Sequence, residues 1–259
     1  MAAAAGMAAE GRPAIVCGYG VFLTMRVLEA VRSFVCYPRL NVKIFSSHGG
    51  VTAAIDGVTH QATEDMAFMT TLPGMTVLSP CDSASAAAAF DLALGVNGPV
   101  FVRLMRDPLF ELYQSETEFR IGGSLTPRRG KDLTIVAHGD MVFQALEAAE
   151  SLGQGGVDAE VIDMYSVKPW DRDALRESLS RTGALLVAEN HQRKNGLGYE
   201  LAAWCMREGL AVPFAQIGLD DTFAESGSYP LTLKKFGMDS ESITAAAVAL
   251  VAEKKRRAS

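Results

Sequence analysis

The residues best suited to chemistry lie in one polar, glycine-rich segment, residues 46–65, with the sequence SSHGGVTAAIDGVTHQATED. This segment contains His48, Asp56 and His60. Imidazoles exchange protons near neutral pH, and a neighbouring carboxylate can orient an imidazole or hold a substrate hydroxyl. No evident nucleophile and no metal-ligand spacing accompanies them, so the residue types indicate proton transfer or hydroxyl recognition. Histidines that only satisfy loop backbone are the alternative left open by these residues.

The segment lies where a parallel sheet would place a site. In the first half of the chain, predicted strands at 13–17, 41–45, 76–79 and 100–104 alternate with predicted helices at 22–33, 63–72 and 84–94. In an open parallel sheet, ligands collect beyond the carboxyl ends of the strands. The polar segment leaves the carboxyl end of the strand predicted at 41–45, so the elements around it predict a binding position.

The same alternation restarts in the second half of the chain. Strands are predicted at 133–137, 159–163, 184–188 and near 212–217, with helices at 141–152, after Trp170, at 198–207 and at 240–254. The polar stretch 111–131, which contains Gly-Gly and Pro-Arg-Arg-Gly, separates the halves. Short apolar strands are typical of parallel sheets covered by helices on both faces. We therefore predict an α/β protein of two consecutive three-layer domains with mostly parallel sheets, residues 1–115 and 131–259, joined by a linker at 116–130.

Composition narrows the class of protein. The 259 residues carry a net charge of −6 and are 49% hydrophobic and 21% charged, which is typical of a globular chain and not of a disordered tail or a coiled-coil rod. A sequence pI near 5.3 supplies no basic field for nucleic acid. Four cysteines without CxxC spacing indicate reduced thiols. We find no signal-like start and no apolar run of about 18 residues, and therefore expect a soluble, cytoplasmic protein without a membrane partner.

Two long stretches resemble one known family. The stretch that begins DGVTHQATED and ends GPVFVRLMRDP resembles the pyrimidine-binding domain of the transketolase family, with its D-G-x-T-H-Q loop, P-x-M-x-V-x-x-P-x-D strand and G-P-V-x-x-R-x-x-R strand. In the second half, VAENHQRKNGLG and IGLDDTFAESGSYPLTLKKFG resemble the C-terminal domain of the same family. The two motifs occur in the family's order, so the resemblance covers nearly the whole chain.

The resemblance implies an activity and assigns residues to it. Family members use thiamine diphosphate, bound between two chains, to transfer a two-carbon ketol unit between sugar phosphates. By resemblance, His60 contacts the substrate beside the reactive carbon of the cofactor, Asp56 binds a donor-sugar hydroxyl, and His48 lines the substrate channel. Arg106 matches the arginine that pairs with a sugar phosphate, a task suited to guanidinium. Arg103 either assists Arg106 or is an ordinary surface residue.

Three further residues are implied to meet the cofactor. Phe22 matches an aromatic residue that packs on the pyrimidine ring of thiamine diphosphate. Met25 and Leu28 lie on the same helix face, where many family members carry further aromatic residues. Both are apolar and could still exclude water, although ring stacking would be lost there. Ordinary core packing is the equal alternative for Met25 and Leu28.

The departures from the family pattern imply a partner. No Gly-Asp-Gly occurs in the chain, whereas the family's first domain uses that motif to hold magnesium and the diphosphate. The resemblance is therefore to the C-terminal subunit of a split transketolase. It implies an N-terminal subunit that carries the diphosphate and magnesium site, with no metal ligands in this chain, and a heterotetramer of two copies of each. The chain alone is expected to be inactive.

A second motif of the family is also absent. The Gly-x-x-Glu-Gln-Asn-Met stretch, whose glutamate assists cofactor activation, should stand at about Met1, so the first elements of the pyrimidine-binding domain are expected to be missing and a sheet edge exposed. The recorded start could be displaced or the chain shortened, a partner could complete the site, or the subunit could be a non-catalytic one for assembly or regulation. A beta-type subunit of a related 2-oxo acid enzyme is the other alternative. The second-domain residues His138, Glu189, His191 and Glu225 are expected to serve structure rather than chemistry.

Overall fold

Two five-stranded sheets organise the part of the chain that the structure, a computed structural model, describes: residues 1–107 and 110–258. The strands are β1 (Ala14–Tyr19), β2 (Val42–Ser47), β3 (Thr76–Leu78), β4 (Val100–Arg103), β5 (Leu125–Arg128), β6 (Leu133–Ala137), β7 (Ala159–Asp163), β8 (Ser166–Lys168), β9 (Leu185–Gln192) and β10 (Phe214–Leu219). The α-helices are α1 (Ala2–Ala9), α2 (Leu28–Ala30), α3 (Asp65–Thr71), α4 (Ser83–Gly95), α5 (Met141–Gln154), α6 (Arg172–Thr182), α7 (Leu197–Arg207), α8 (Tyr229–Lys235) and α9 (Ser240–Ala258).

The sheet topology confirms the predicted fold class. The first sheet has the order β1-β2-β4-β3-β8 and the second the order β10-β9-β6-β7-β5. Among the strands of the described residues, only β8, against β3, and β5, against β7, run antiparallel. Strands such as β4 and β6 are buried at every residue, as expected when helices cover both faces of a sheet.

The short edge strands β5 and β8 were not predicted from the sequence. Strand β5 lies inside the segment predicted as a linker, and β8 follows β7 in the chain but pairs with the first sheet. The second half of the chain therefore completes the edge of the first sheet. One apolar core joins the two, because Ile44 and Phe101 belong to the same buried cluster as Met164 and Trp204. The predicted boundaries at 115 and 131 remain predictions.

The helix predicted at 22–33 has an irregular form. Two π-helical stretches, Phe22–Arg26 and Val31–Cys36, flank the single turn of α2. Thr24 Oγ1 donates to the carbonyl of Gly20 (2.8 Å), a side-chain bond that competes with regular helical pairing. Wider helical turns of this kind are frequent at functional sites, and this one follows β1 directly.

Strand β1 is the edge strand of the first sheet opposite β8. Its residues alternate between buried or half-buried and exposed, and Ile15 is 47% exposed.

Among the described residues, no helix combines the length and the apolar character that crossing a membrane would require.

Candidate active site

Four aromatic and imidazole rings converge where β1 and β2 end. The parallel register pairs Tyr19 with Ser47, so Tyr19 emerges beside His48, and the centroids of their rings lie 4.2 Å apart. The ring of His60 lies 5.5 Å from that of Tyr19 and 5.4 Å from that of Phe22. We call these four residues the ring cluster. It brings three predicted site residues, Phe22, His48 and His60, to one place.

The two histidines differ in their surroundings. His48 is half-buried, and its Nδ1 lies 2.9 Å from the hydroxyl of Ser47. Burial lowers the pKa of His48, and the positive charge of Arg106 lowers it further. His48 is therefore a neutral imidazole at pH 7, able to accept a proton. His60 Nδ1 lies 3.0 Å from the Thr59 hydroxyl, which leaves Nε2 as its second polar atom.

An ion pair lies beside the rings. Arg106 Nη1 donates to Asp56 Oδ2 at 3.1 Å, and the side chains are 28% and 36% exposed. Asp107 is 4.0 Å from Arg106 Nε. The charges of Asp56 and Arg106 both act on the pKa of His48. The structure thus brings the predicted residues Asp56 and Arg106 to the ring cluster, where they add a polar edge that can meet an anion and a hydroxyl.

Arg103 requires a correction. Of its two alternatives, the surface position is wrong, because its side chain is 0% exposed and its Nε donates to the equally buried Asp65 at 2.8 Å. Its Nη2 donates to the carbonyls of Ala62 (3.1 Å) and Asn190 (2.8 Å). Gly49 lies so close that a Cβ atom there would be 2.6 Å from Arg103 Nε. Protein groups thus hold Nε and Nη2, while Nη1 has no hydrogen-bond partner among the described residues. The alternative that Arg103 assists Arg106 in binding a phosphate stays a prediction.

Met25 and Leu28 are half-buried in the helical segment after β1. Leu28 packs against the apolar core, in keeping with the core alternative raised from the sequence. The contact of either residue with a cofactor remains a prediction.

The sequence analysis missed Tyr19. The missing signal was the pairing of β1 with β2, which places residue 19 beside residue 47 and hence next to His48. A tyrosine at the carboxyl end of a strand that neighbours a histidine-bearing strand would have been a candidate on that basis.

Of the four polar residues predicted to be structural in the second domain, His138, Glu189 and His191 are buried, whereas Glu225 is exposed and pairs with Lys235. His138 Nδ1 is 3.0 Å from the hydroxyl of Ser79 in the first domain, and His138 Nε2 is 3.9 Å from Glu189 Oε2. Burial alone would raise the pKa of Glu189, but the nearby histidines and donors, including the Gly198 N–H, outweigh it and lower that pKa. All three side chains of this Ser-His-Glu arrangement are buried, so it binds the two domains together and is not open to a substrate.

Two clefts lie elsewhere on the molecule. The larger, about 910 Å³, is lined by Thr70 of α3, Lys168 of β8, Trp170 between β8 and α6, and Leu197 at the start of α7, among others. The smaller, about 340 Å³, includes His191 and Phe223. The ring cluster and the Asp56–Arg106 pair line neither of these two clefts. Their side chains are partly exposed at the ends of β1 and β2, and we call this region the open face.

Known proteins are similar to this chain over both of its domains. Residues 1–110 match the transketolase pyrimidine binding domain, and residues 122–243 match the transketolase C-terminal domain. The 6-deoxy-6-sulfo-D-fructose transketolase subunit SqwH of Clostridium sp. strain MSTE9 is 41% identical over 244 residues, which cover 94% of this chain and 76% of that protein. An apulose-4-phosphate transketolase subunit of Phocaeicola vulgatus strain ATCC 8482 is 35% identical, with 95% of this chain and 79% of that protein covered.

A solved structure described as a split gene transketolase in an inactive beta4 tetramer superimposes with a TM-score of 0.92 at 38% identity. The superposition covers 98% of this chain and 81% of that one. Both domain matches occur in the order predicted from the motifs, and together they span most of the sequence. The chain therefore belongs to the transketolase family, of which it carries the pyrimidine-binding and C-terminal domains.

Proposed function

We propose that this chain is the C-terminal subunit of a split transketolase that transfers a two-carbon ketol unit between sugar phosphates, and that it acts together with an N-terminal subunit. The observation that carries the proposal is the ring cluster beside the Asp56–Arg106 pair. One face thus offers rings, a neutral imidazole, a carboxylate and a guanidinium. Groups of these kinds bind the phosphate and hydroxyls of a phosphorylated sugar and transfer its protons.

The residues of the ring cluster fit the cofactor of the family. Thiamine diphosphate, when bound, supplies an electron sink for cleavage of the carbon–carbon bond beside a ketose carbonyl. The rings of Phe22 and Tyr19, 6.0 Å apart in an edge arrangement, offer aromatic surface on which a flat heterocycle can pack. We assign Phe22, with Tyr19, to that contact. The half-buried Met25 and Leu28 would contribute only apolar surface.

Each imidazole has a distinct task in this proposal. His60 Nδ1 faces the Thr59 hydroxyl, so Nε2 is the nitrogen offered to a substrate oxygen. His48 is neutral at pH 7 because burial lowers its pKa, and it can take a proton from a sugar hydroxyl. Tyr19 packs between the two imidazoles and limits their motion.

The ion pair would bind the two ends of the sugar. Arg106 keeps its charge at every physiological pH and can form two parallel bonds to a phosphate. Asp56 would accept a bond from a donor-sugar hydroxyl. Both side chains remain partly exposed, so a substrate can reach them.

The cofactor's diphosphate and magnesium are assigned to the partner subunit. The support is that the 259 residues contain no Gly-Asp-Gly, the motif to which the family resemblance assigns that task. The relatives named as transketolase subunits support a two-chain enzyme. We propose two copies of each subunit, and sugar phosphates as substrates.

Reconstitution tests the function. The chain is mixed with its N-terminal subunit, thiamine diphosphate and magnesium, and ketol transfer from xylulose 5-phosphate to an aldose phosphate is followed. We expect transfer by the mixture and none by either chain alone. R106A should raise KM for the sugar phosphate about 10- to 100-fold, because a charge-assisted bond of about 1.5–3 kcal/mol is lost.

R207A is the matched control, because Arg207 forms a surface ion pair of the same length, 3.1 Å, with Glu200 in the second domain. Its KM should stay at the wild-type value. A mixture that binds cofactor yet transfers nothing would contradict the proposal and favour an assembly or regulatory subunit.

A further inference from the structure

Residues of the second domain contact the polar segment, residues 46–65, which carries His48, Asp56 and His60. We propose that Asn190, at the end of β9, is a positioning residue that fixes the conformation of residues 49–57, between His48 and His60. The structural half of this inference concerns the chain alone. Its catalytic consequence rests on the proposed function.

Asn190 joins three parts of the molecule. Its side-chain Oδ1 accepts from the backbone N–H of Val51 (2.9 Å), and its Nδ2 donates to Asp140 Oδ2 (2.8 Å). Its carbonyl accepts from Arg103 Nη2 (2.8 Å). Asn190 is 0% exposed, so these bonds have no water to replace them.

The backbone of the segment rests directly on this amide. Gly50 has φ of 61°, and a Cβ atom there would lie 2.3 Å from Asn190 Oδ1. His48, two residues earlier, also has a positive φ, 63°, which a residue with a side chain seldom adopts. A conformation of this kind persists only where its surroundings impose it. The contact of Asn190 with Gly50 and Val51 is one such constraint.

Other groups of the second domain extend the same support. The Gly227 N–H donates to the carbonyl of Ala54 (3.0 Å), and Gln61 Nε2 donates to the carbonyl of Glu225 (3.2 Å). The second domain thus contacts the polar segment at residues 50, 51, 54 and 61. Among these contacts, the one that Asn190 makes can be tested by substitution. Its side chain is buried, accepts through one atom and donates through the other, and another residue can reverse which of them donates.

The chemistry at position 190 requires both a donor and an acceptor. Asp140 Oδ2 accepts from Asn190 and also from the hydroxyl of Tyr229. A carboxylate at position 190 would still accept from Val51 but would face Asp140 without a donor. Exchanging the two side chains restores a donor between positions 140 and 190. The NH2 group of the amide at position 140 would take the place of Oδ2, and its two N–H groups would donate to the carboxylate at position 190 and to the Tyr229 hydroxyl, which then accepts.

The experiment compares N190D, the exchanged pair D140N/N190D and the control S79A by amide hydrogen exchange of the complete chain mixed with its partner subunit. N190D should speed exchange in residues 49–57 about 10- to 100-fold, since a buried bond is replaced by repulsion. D140N/N190D should return exchange to within a few-fold of wild type. S79A removes a different buried bond between the domains, to His138, and should leave residues 49–57 unchanged.

Steady-state kinetics provides the second measurement. N190D should lower kcat about 10- to 100-fold with little change in KM, because misplacement of reacting groups affects the chemical step. D140N/N190D should recover most of the loss. If N190D does not fold, N190S, which shortens the side chain without adding charge, replaces it in both measurements.

The outcomes separate the two proposals. Wild-type exchange at residues 49–57 in a folded N190D or N190S, an equal effect of S79A there, or no recovery in the exchanged pair would overturn the positioning role. Absence of ketol transfer by the wild-type mixture would overturn the proposed function, and the exchange measurements would still decide the role of Asn190.

Discussion

Arg103 and Arg106 stand three residues apart, yet they occupy opposite environments. Arg103, the last residue of β4, is fully buried and paired with the buried Asp65. Arg106 lies beyond the strand, 28% exposed, and its partner Asp56 is 36% exposed. Buried charges must be fully paired, whereas exposed ones can exchange a protein partner for a ligand at small cost.

The same contrast separates two larger regions. We call Arg103, Asp65, Asn190, Asp140 and Tyr229 the interdomain seam, a hydrogen-bonded network in which the first four residues are buried and Tyr229 is half-buried. The open face, formed by the ring cluster with Asp56 and Arg106, is the partly exposed region at the ends of β1 and β2. The difference teaches that residues only three positions apart, such as Arg103 and Arg106, can belong separately to the buried support of a site and to its accessible chemistry.

The largest expected effect comes from breaking the buried pair. R103M should lower the free energy of unfolding by about 3–5 kcal/mol, because it leaves the buried carboxylate of Asp65 without its cation. Urea titration of the chain measures this. The double variant R103M/D65L should regain much of the loss, since no unpaired charge remains. A loss for R103M no greater than that of R106M would contradict the contrast between the two arginines.

The comparison extends to a third buried group, the carboxylate of Asp163, whose effect on the free energy of unfolding depends on pH. Asp163 Oδ2 accepts from the Tyr113 hydroxyl (3.1 Å) and the Cys81 thiol (3.5 Å), and burial raises its pKa to about 7. The nearby carboxylate of Asp82 also raises it.

The folded pKa of Asp163 exceeds the unfolded value of about 3.9, so the native state binds the extra proton between these values. Its contribution to stability is therefore complete below pH 4 and is lost as the pH rises to about 7. D163N should remove this fall, which is at most about 1.4 kcal/mol per pH unit. Unfolding free energies of both proteins from pH 4 to 8 measure it, and parallel curves would refute the assignment.

The smallest effect is expected at the open face. R106A should change the free energy of unfolding by less than about 1 kcal/mol, because an exposed ion pair is screened and its side chains are costly to order. Any difference should shrink further between low and high salt. Thermal unfolding at two salt concentrations, with R207A as reference, checks this. A destabilisation as large as that of R103M would show that Arg106 is part of the support.

Much of the architecture could be predicted from the sequence. Short apolar strands alternate with helical stretches, and that pattern predicted the two mostly parallel α/β domains, which the sheets confirm. The motif resemblance to the transketolase family is confirmed by the domain matches. The roles of His48, Asp56, His60, Arg106 and Phe22 remain predictions, although the structure brings all five together.

Other features could not be predicted from local pattern. Strand β8 has three residues, too few for a periodic signal, and its place in the first sheet depends on a contact across the domains. The helix expected at 22–33 contains π-helical turns, and hydrophobic spacing does not distinguish these from regular ones. Tyr19 gained significance only when β1 was paired with β2.

By itself, the sequence determined the order of elements, the family and the residue types available at the site, because these depend on neighbours along the chain. Tertiary structure alone decided which arginine is buried, which tyrosine meets the histidines, and that Asn190 supports a segment 139 positions away. The physical reason is that burial and hydrogen-bond partners depend on how strands and domains pair in space. Arg103 and Arg106 are only three positions apart in the sequence. Their environments differ because Arg103 is enclosed by Asp65 and Ala62 of the first domain and by Asn190 of the second.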